Sequence, residues 1–105
     1  MPSITLVNCF EVPAGRDDEF FRLWQQVNTY MRRKRGYLEH KLHRSLQADA
    51  QFRFINVARW ASQADFDAAH DDGFRALVTQ DAWAPFRSRP ALYEVVHEAQ
   101  ADQQL

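Results

Sequence analysis

Two asparagines stand where the sequence pattern predicts buried side chains. Asn8 and Asn56 each lie in an alternating row of apolar residues, on segments rich in β-branched and aromatic side chains. A carboxamide buried without a partner costs about 1–3 kcal/mol, so a backbone group, a water or a ligand must satisfy each one. Trp60, four residues after Asn56 on the same strand face, adds a flat apolar wall and an N–H donor. An apolar pocket with a few polar groups is the usual form of a small-molecule site, so we expect these residues to line one, with Asn8 nearby.

The histidines provide one candidate base and no metal site. His40 and His43 are three residues apart on one predicted strand, which places them on opposite faces, and His97 lies near the end of the last predicted strand. This spacing does not support a ligand cluster, and one cysteine, Cys9, excludes a disulfide framework or a Cys-rich zinc module. His70 stands on a predicted helix. An imidazole is the side chain best suited to proton transfer near neutral pH, so His70 is a candidate base if its ring turns inward.

These residues must be positioned by six elements in the order strand, helix, strand, strand, helix, strand. Period-two patterns bounded by breakers predict strands over residues 4–12, 37–46, 52–60 and 91–98. Apolar residues at three- and four-residue spacing predict a helix over 17–35 and a second helical region over 63–70 that Gly73 interrupts and that resumes over 74–78. Residues 81–90, which include Pro85 and Pro90, are predicted to be irregular.

The predicted fold class is α+β, with a ferredoxin-like split β-α-β order. That arrangement is a four-stranded antiparallel sheet with both helices on one face. The second face would carry apolar side chains, namely Val7, Cys9, Ile55, Val57, Tyr93 and Val95. Because a monomer would expose them as a large hydrophobic patch, we expect a homodimer formed face to face through this side of the sheet.

The composition sets outer limits on the function. The 105 residues predict a single domain over residues 1–105, with a core at about 4–98 and a polar C-terminal tail from residue 99. Thirteen Lys and Arg against fourteen Asp and Glu give a net charge of −1, which argues against nucleic acid or an anionic membrane as a partner. No apolar run approaches the ~20 residues of a membrane span, and no signal-peptide pattern opens the chain. We therefore expect a cytoplasmic protein.

The run from Phe54 to Phe66, Phe-Ile-Asn-Val-Ala-Arg-Trp-Ala-Ser-Gln-Ala-Asp-Phe, resembles the antibiotic biosynthesis monooxygenase family. In that family a strand ending in Trp leads into the second helix, whose first turn carries an aromatic residue. The opening strand closed by Pro-Ala-Gly15 and the Gly36-Tyr-Leu before the second strand are also similar. The resemblance covers roughly residues 4–98. It implies a dimeric α+β barrel and, for some members, a monooxygenase with no cofactor and no metal that acts with O₂ on an aromatic phenol or quinol.

The resemblance also implies roles for individual residues. In the cofactor-free branch, an Asn and a Trp four apart on the third strand hold a polycyclic phenol, and Asn56 and Trp60 match them. A Tyr six residues after the Trp assists proton transfer there, but Phe66 stands at that position and cannot relay a proton. The implied catalytic residues are Asn56 and Trp60, with His70 as the base. The implied substrate-binding residues are Asn8, Phe54 and Phe66.

Two alternatives remain beside this interpretation. In the haem-degrading branch of the family, an Asn on the first strand, which Asn8 matches, acts with a Trp and a haem-ligating His on the second helix. Those positions fall near Ala68 or Ala69 and near Val78 or Thr79, so haem is expected to bind poorly. A non-catalytic module that binds a small molecule or regulates on the same scaffold is the other alternative, because fold does not fix function.

Overall fold

The computed structural model describes residues 2–102 of the chain, which form one antiparallel sheet with helices packed on one of its faces. Its elements are β1 (Ile4–Glu11), α1 (Asp17–Met31), β2 (Tyr37–Arg44), β3 (Phe54–Trp60), α2 (Gln63–Ala69), α3 (Asp72–Val78), a 3₁₀ turn (Asp81–Trp83) and β4 (Arg87–Tyr93). The four strands lie in the order β2-β3-β1-β4. This order confirms the predicted α+β, ferredoxin-like fold.

The strand register brings the two asparagines side by side. Asn8 on β1 lies directly opposite Asn56 on β3, with Phe10 opposite Phe54 at the next position of the same face. Strand β3 alternates buried and more exposed residues along its length, as expected for a sheet with one covered face. The helix-facing side therefore carries both amides, as the alternation predicted.

Two clusters of buried side chains join the sheet to the helices. The first cluster centres on the fully buried Phe20 of α1, whose ring lies 4.7 Å from that of Phe54. The second cluster includes Met31 and Trp60, and Trp60 is 1% exposed. Burying a large aromatic side chain contributes about 1.5–3 kcal/mol, so these rings hold α1 against the sheet.

Helix α1 ends four residues earlier than predicted. Its last residue is Met31, and Arg32 is the C-cap, so the basic run follows the helix instead of forming its last turn. The Lys34 amide donates to the Met31 carbonyl at 3.0 Å, and Gly36 adopts φ +86°, a left-handed conformation that turns the chain into β2. The four cations lie in this turn, near the negative end of the helix dipole.

The break in the second helical region lies at Asp71 and not, as predicted, at Gly73. The Asp71 carboxylate accepts from the Phe74 amide at 3.0 Å and caps α3, which already includes Gly73. The same carboxylate accepts from Lys34 Nζ at 2.6 Å and from the Tyr30 hydroxyl at 2.7 Å. These contacts, led by Lys34, hold the pKa of Asp71 well below its usual range. A side chain at Gly73 would overlap the Tyr30 hydroxyl, which explains the glycine there.

The last strand was predicted four residues too late. Strand β4 runs from Arg87 to Tyr93, so part of the region predicted to be irregular is strand, and Val95 lies beyond its end. Pro90 lies within β4, and because β4 is an edge strand, a residue without an N–H is tolerated there. Strand β3 also begins at Phe54 and not at residue 52. The predicted polar tail falls partly on residues 103–105, which lie outside the described residues.

The second face of the sheet is open in the single chain. Val7 pairs with Val57 and Cys9 pairs with Ile55 across β1 and β3, and all four are partly exposed. Tyr93 on β4 shares this face and is 56% exposed. The implied barrel is therefore not closed within one chain. None of the helices in residues 2–102 has the length and apolarity needed to cross a bilayer.

Candidate active site between the sheet and the helices

A cavity of about 1000 Å³ lies between the helix-facing side of the sheet and the helices. Every element described above contributes to its wall. The aromatic residues lining it are Phe10, Trp24, Tyr37, Trp60, Phe66, Phe74, Trp83 and Phe86, and its polar lining includes Asn8, Asn28, Asn56, His70, Thr79, Gln80 and Ser88. A volume at the upper end of the range for small-molecule sites, with walls that are mostly aromatic, suits a ligand of several fused rings.

Four buried polar atoms of the described residues lack a hydrogen-bond partner, and all four belong to residues that line this cavity. They are Oδ1 of Asn8, Oδ1 of Asn56, Nε1 of Trp60 and Nε1 of Trp83. The set contains two acceptors and two N–H donors. Most buried polar groups in proteins have a hydrogen-bond partner. Four unpartnered polar atoms around one cavity therefore indicate that a ligand or solvent supplies their partners.

Trp60 lines the cavity and packs against other aromatic rings there. Its ring meets those of Tyr37 and Phe66 nearly edge-on, at centroid distances of 5.1 and 5.6 Å. The position follows from the strand pattern, because Trp60 ends β3 on the same face as Asn56. The spacing of four residues thus places an amide and an indole on one wall, as predicted.

His70 lies at the end of α2 and lines the cavity, as expected for an inward-turned ring. Its Nδ1 lies 2.6 Å from the Phe66 carbonyl oxygen, and its ring packs against those of Phe66 and Phe74 at 4.2 and 4.5 Å. Because a carbonyl oxygen only accepts, the neutral ring carries its proton on Nδ1 and keeps a lone pair on Nε2. This tautomer leaves His70 able to accept a proton.

The remaining predicted site residues separate into two groups. Phe66 lines the cavity with Asn8, Asn56, Trp60 and His70. Phe54 instead packs in the first cluster against Phe20 and does not line the cavity, so the structure does not bring it to the site. At the positions where the haem branch carries its ligand, Val78 and Thr79 line the cavity and offer no imidazole.

A hydrogen-bonded group that the sequence did not predict includes two residues that line the cavity, Asn28 and Tyr37. The Asn28 amide donates to the Tyr37 hydroxyl at 3.0 Å, and that hydroxyl lies 2.5 Å from Nδ1 of His40. Burial raises the pKa of the Tyr37 phenol, whereas burial and the nearby Arg32 cation lower the pKa of His40. Both shifts keep the two groups neutral near pH 7.

The charge of the lining narrows the class of ligand. The residues that line the cavity include no Lys or Arg and one carboxylate, that of Asp81. Phosphates and carboxylates are usually bound by cations, so the lining favours an uncharged ligand with hydroxyl and carbonyl groups. No group of three or more His, Cys, Asp or Glu among residues 2–102 is placed to hold a metal ion.

The fold and the cavity define a small α+β protein with an aromatic-walled site, and comparison with known sequences gives its family. Residues 3–80 match the model of the antibiotic biosynthesis monooxygenase family. The chain belongs to that family, which confirms the resemblance drawn from residues 54–66. No curated protein matches the chain.

Two solved structures with this fold are similar over nearly their whole length. A candidate monooxygenase from Shewanella loihica PV-4 shares 34% identity over 92% of this chain and 97% of its own, with a TM-score of 0.81. SnoaB, a cofactor-independent oxygenase from Streptomyces nogalater, shares 26% identity over 100% of this chain and 98% of its own, with a TM-score of 0.75. The family and these neighbours support a monooxygenase-type role.

Proposed function

We propose that the protein is a cofactor-independent monooxygenase that acts with O₂ on an aromatic phenol or quinol. The observation that carries this proposal is the set of four orphaned polar atoms on one aromatic-walled cavity. Substrate hydroxyls would donate to the oxygens of Asn8 and Asn56, and a substrate carbonyl or phenolate oxygen would accept from the indole N–H groups of Trp60 and Trp83. The aromatic side chains that line the cavity would pack against the substrate ring and fix its orientation.

Such a reaction balances without an added reductant. A phenol with a hydrogen on the reacting ring carbon, plus O₂, gives a quinone and one water. The substrate supplies all four electrons, one oxygen atom enters the ring and the other leaves in water. An electron-rich phenolate can reduce O₂ itself, so the protein must desolvate the substrate, favour the phenolate and hold O₂ near the ring.

Two protons leave the organic substrate in this reaction, one from the hydroxyl and one from the ring carbon. His70 is the candidate base for one of them, because its Nδ1 proton is held by Phe66 and its Nε2 retains a lone pair. Phe66 stands where the family's cofactor-free branch carries a proton-relaying Tyr. The second proton therefore needs another acceptor in this chain.

The proposal is tested by following O₂ uptake with anthrones, naphthols and naphthohydroquinones. We expect uptake above the non-enzymatic rate, one O₂ consumed per quinone formed, and one ¹⁸O atom per product when the gas is ¹⁸O₂. His70→Gln should lower kcat by about 10²-fold, the lower range for loss of a general base, with KM nearly unchanged. Tight binding of these phenols with no uptake above the blank would contradict the proposal and favour a non-catalytic binding module.

We also propose a homodimer formed through the open face of the sheet. Val7, Cys9, Ile55 and Val57 lie as adjacent pairs at the centre of that face, while the opposite face is covered by helices. In sedimentation we expect a species of twice the 12.3 kDa chain mass, and Val57→Glu should convert it to monomer because it would bury a charge. Gln26→Glu, on the exposed side of α1, is the matched control. A stable monomer at micromolar concentration would be the contrary result.

A further inference from the structure

Tyr37 presents a phenol to the cavity from the first position of β2. In the sheet register it pairs with Trp60, and its ring stands nearly perpendicular to the indole at 5.1 Å. A register irregularity follows between Tyr37 and Glu39, and His40 then pairs with Ala58. Trp60 and Ala58 share the helix-facing side, so the extra residue brings Tyr37 and His40, an odd step apart, onto one face.

The hydrogen bonds at Tyr37 have only one consistent direction. The Asn28 amide nitrogen can only donate, so the Tyr37 oxygen accepts there at 3.0 Å. The single hydroxyl proton is then directed at Nδ1 of His40, 2.5 Å away, which makes Nδ1 the acceptor in the neutral ring. The Tyr37 oxygen retains one lone pair, and Tyr37 lines the cavity, so a substrate hydroxyl is the partner that this lone pair fits.

Burial and a nearby cation keep the His40 imidazole neutral, so that it can accept a proton. His40 does not line the cavity, and its ring packs edge-on against that of Trp24 at 5.2 Å. Arg32, in the turn after α1, acts on both groups: it lowers the pKa of His40, adding to the effect of burial, and partly offsets the rise that burial gives the pKa of Tyr37. The imidazole is therefore neutral at pH 7, as a proton acceptor must be.

We propose that Tyr37 and His40 form a proton relay that ionises the substrate phenol. The substrate hydroxyl proton passes to Tyr37 Oη as the Tyr37 proton passes to His40 Nδ1, which yields a substrate phenolate and an imidazolium with no electron transferred. Tyr37 touches the substrate, and His40 acts through it. The inference rests on the proposed function and supplies the second acceptor that the reaction needs beside His70.

The test reads phenol ionisation directly, with 4-nitrophenol as the probe because its phenolate absorbs at longer wavelength than its neutral form. We expect the bound probe to have a lower apparent pKa in the wild type than in Tyr37→Phe by about one unit, a tenfold change in the ionisation equilibrium. His40→Asn keeps an acceptor near Tyr37 but cannot take the proton. It should lose the same shift, which separates proton transfer from mere positioning.

Matched controls are available elsewhere in the chain. Tyr30→Phe removes a hydroxyl that is bonded to Asp71 away from the cavity, and His97→Asn changes an exposed histidine. Both should retain the wild-type shift. In turnover, Tyr37→Phe and His40→Asn should each lower kcat by about 10²-fold, and the double variant should be no slower than either, because one relay is lost only once.

The relay and the proposed oxygenase fail in different ways. A wild type that consumes O₂ with quinols but ionises the probe no better than Tyr37→Phe would overturn the relay and leave the oxygenase standing. A wild type that ionises the probe through Tyr37 without consuming O₂ would support the relay and overturn the oxygenase. Equal loss of the shift in Tyr30→Phe would also overturn the relay, since a general loss of packing would then be the cause.

Discussion

Asn56→Ala is expected to lower kcat/KM for a phenolic substrate by about 10²-fold and to leave the free energy of unfolding almost unchanged. The Asn56 side chain also carries an Nδ2 donor, and a hydrogen bond from Nδ2 to an ionised oxygen is worth about 1.5–3 kcal/mol, which is roughly tenfold to 150-fold in affinity for a phenolate-like transition state. Asn56 is 8% exposed, and its Oδ1 has no partner in the ligand-free protein. The substitution therefore removes no internal bond at that atom.

Asn56→Leu also tests whether the Asn56 amide serves a ligand or the fold. Replacing an unsatisfied buried amide with an apolar group of similar volume removes a desolvation penalty, so this variant should be more stable than the wild type and inactive. Chemical denaturation gives the stability, and equilibrium titration with a naphthol gives the affinity. If Asn56→Ala instead lost about 1–3 kcal/mol of stability with unchanged affinity, the amide would serve the fold and not a ligand.

The site residues that the sequence predicted are those governed by regular periodicity. Strict alternation places Asn8 and Asn56 on one face, and Trp60 follows from the same rule, because β1 and β3 are the central strands and have continuous register. His70 was singled out because it is the one histidine on the second predicted helix. Phe54 is on the same face as Asn56, but it packs against Phe20 and does not line the cavity. Alternation predicts which face of the strand a residue takes, but not which residues on that face line a cavity.

The residues that the sequence missed depend on departures from periodicity. Alternation separates Tyr37 from His40, and only the irregularity at Leu38 brings them together. Trp83 lies in a 3₁₀ turn between α3 and β4, a region predicted to be irregular, and its indole reaches the cavity through tertiary packing alone. The spacing of His40 and His43 placed them on opposite faces but did not show which of the two faces the helices.

Trp60→Ala is expected to lower the free energy of unfolding by about 3–5 kcal/mol, the usual range for removing a buried aromatic side chain. Trp60 is 1% exposed and contacts the rings of Tyr37, Phe66 and His70. No other residue touches both the proposed relay and the proposed base among the ring pairs of the described chain. Trp83→Ala, at a partly exposed ring of the same cavity, should cost less and is the matched control.

Trp60→Phe separates the packing role of the Trp60 ring from the hydrogen-bonding role of its indole N–H. It keeps an aromatic ring at the end of β3 but removes the orphaned N–H, so we expect phenol affinity to fall by about tenfold, the worth of one hydrogen bond of roughly 1–1.5 kcal/mol. Its loss of stability should be well below that of Trp60→Ala, because most of the buried ring area is retained. Denaturant unfolding and phenol titration measure the two effects. Unchanged affinity in a stable Trp60→Phe protein would show that the indole N–H binds no ligand and that Trp60 serves only as a wall.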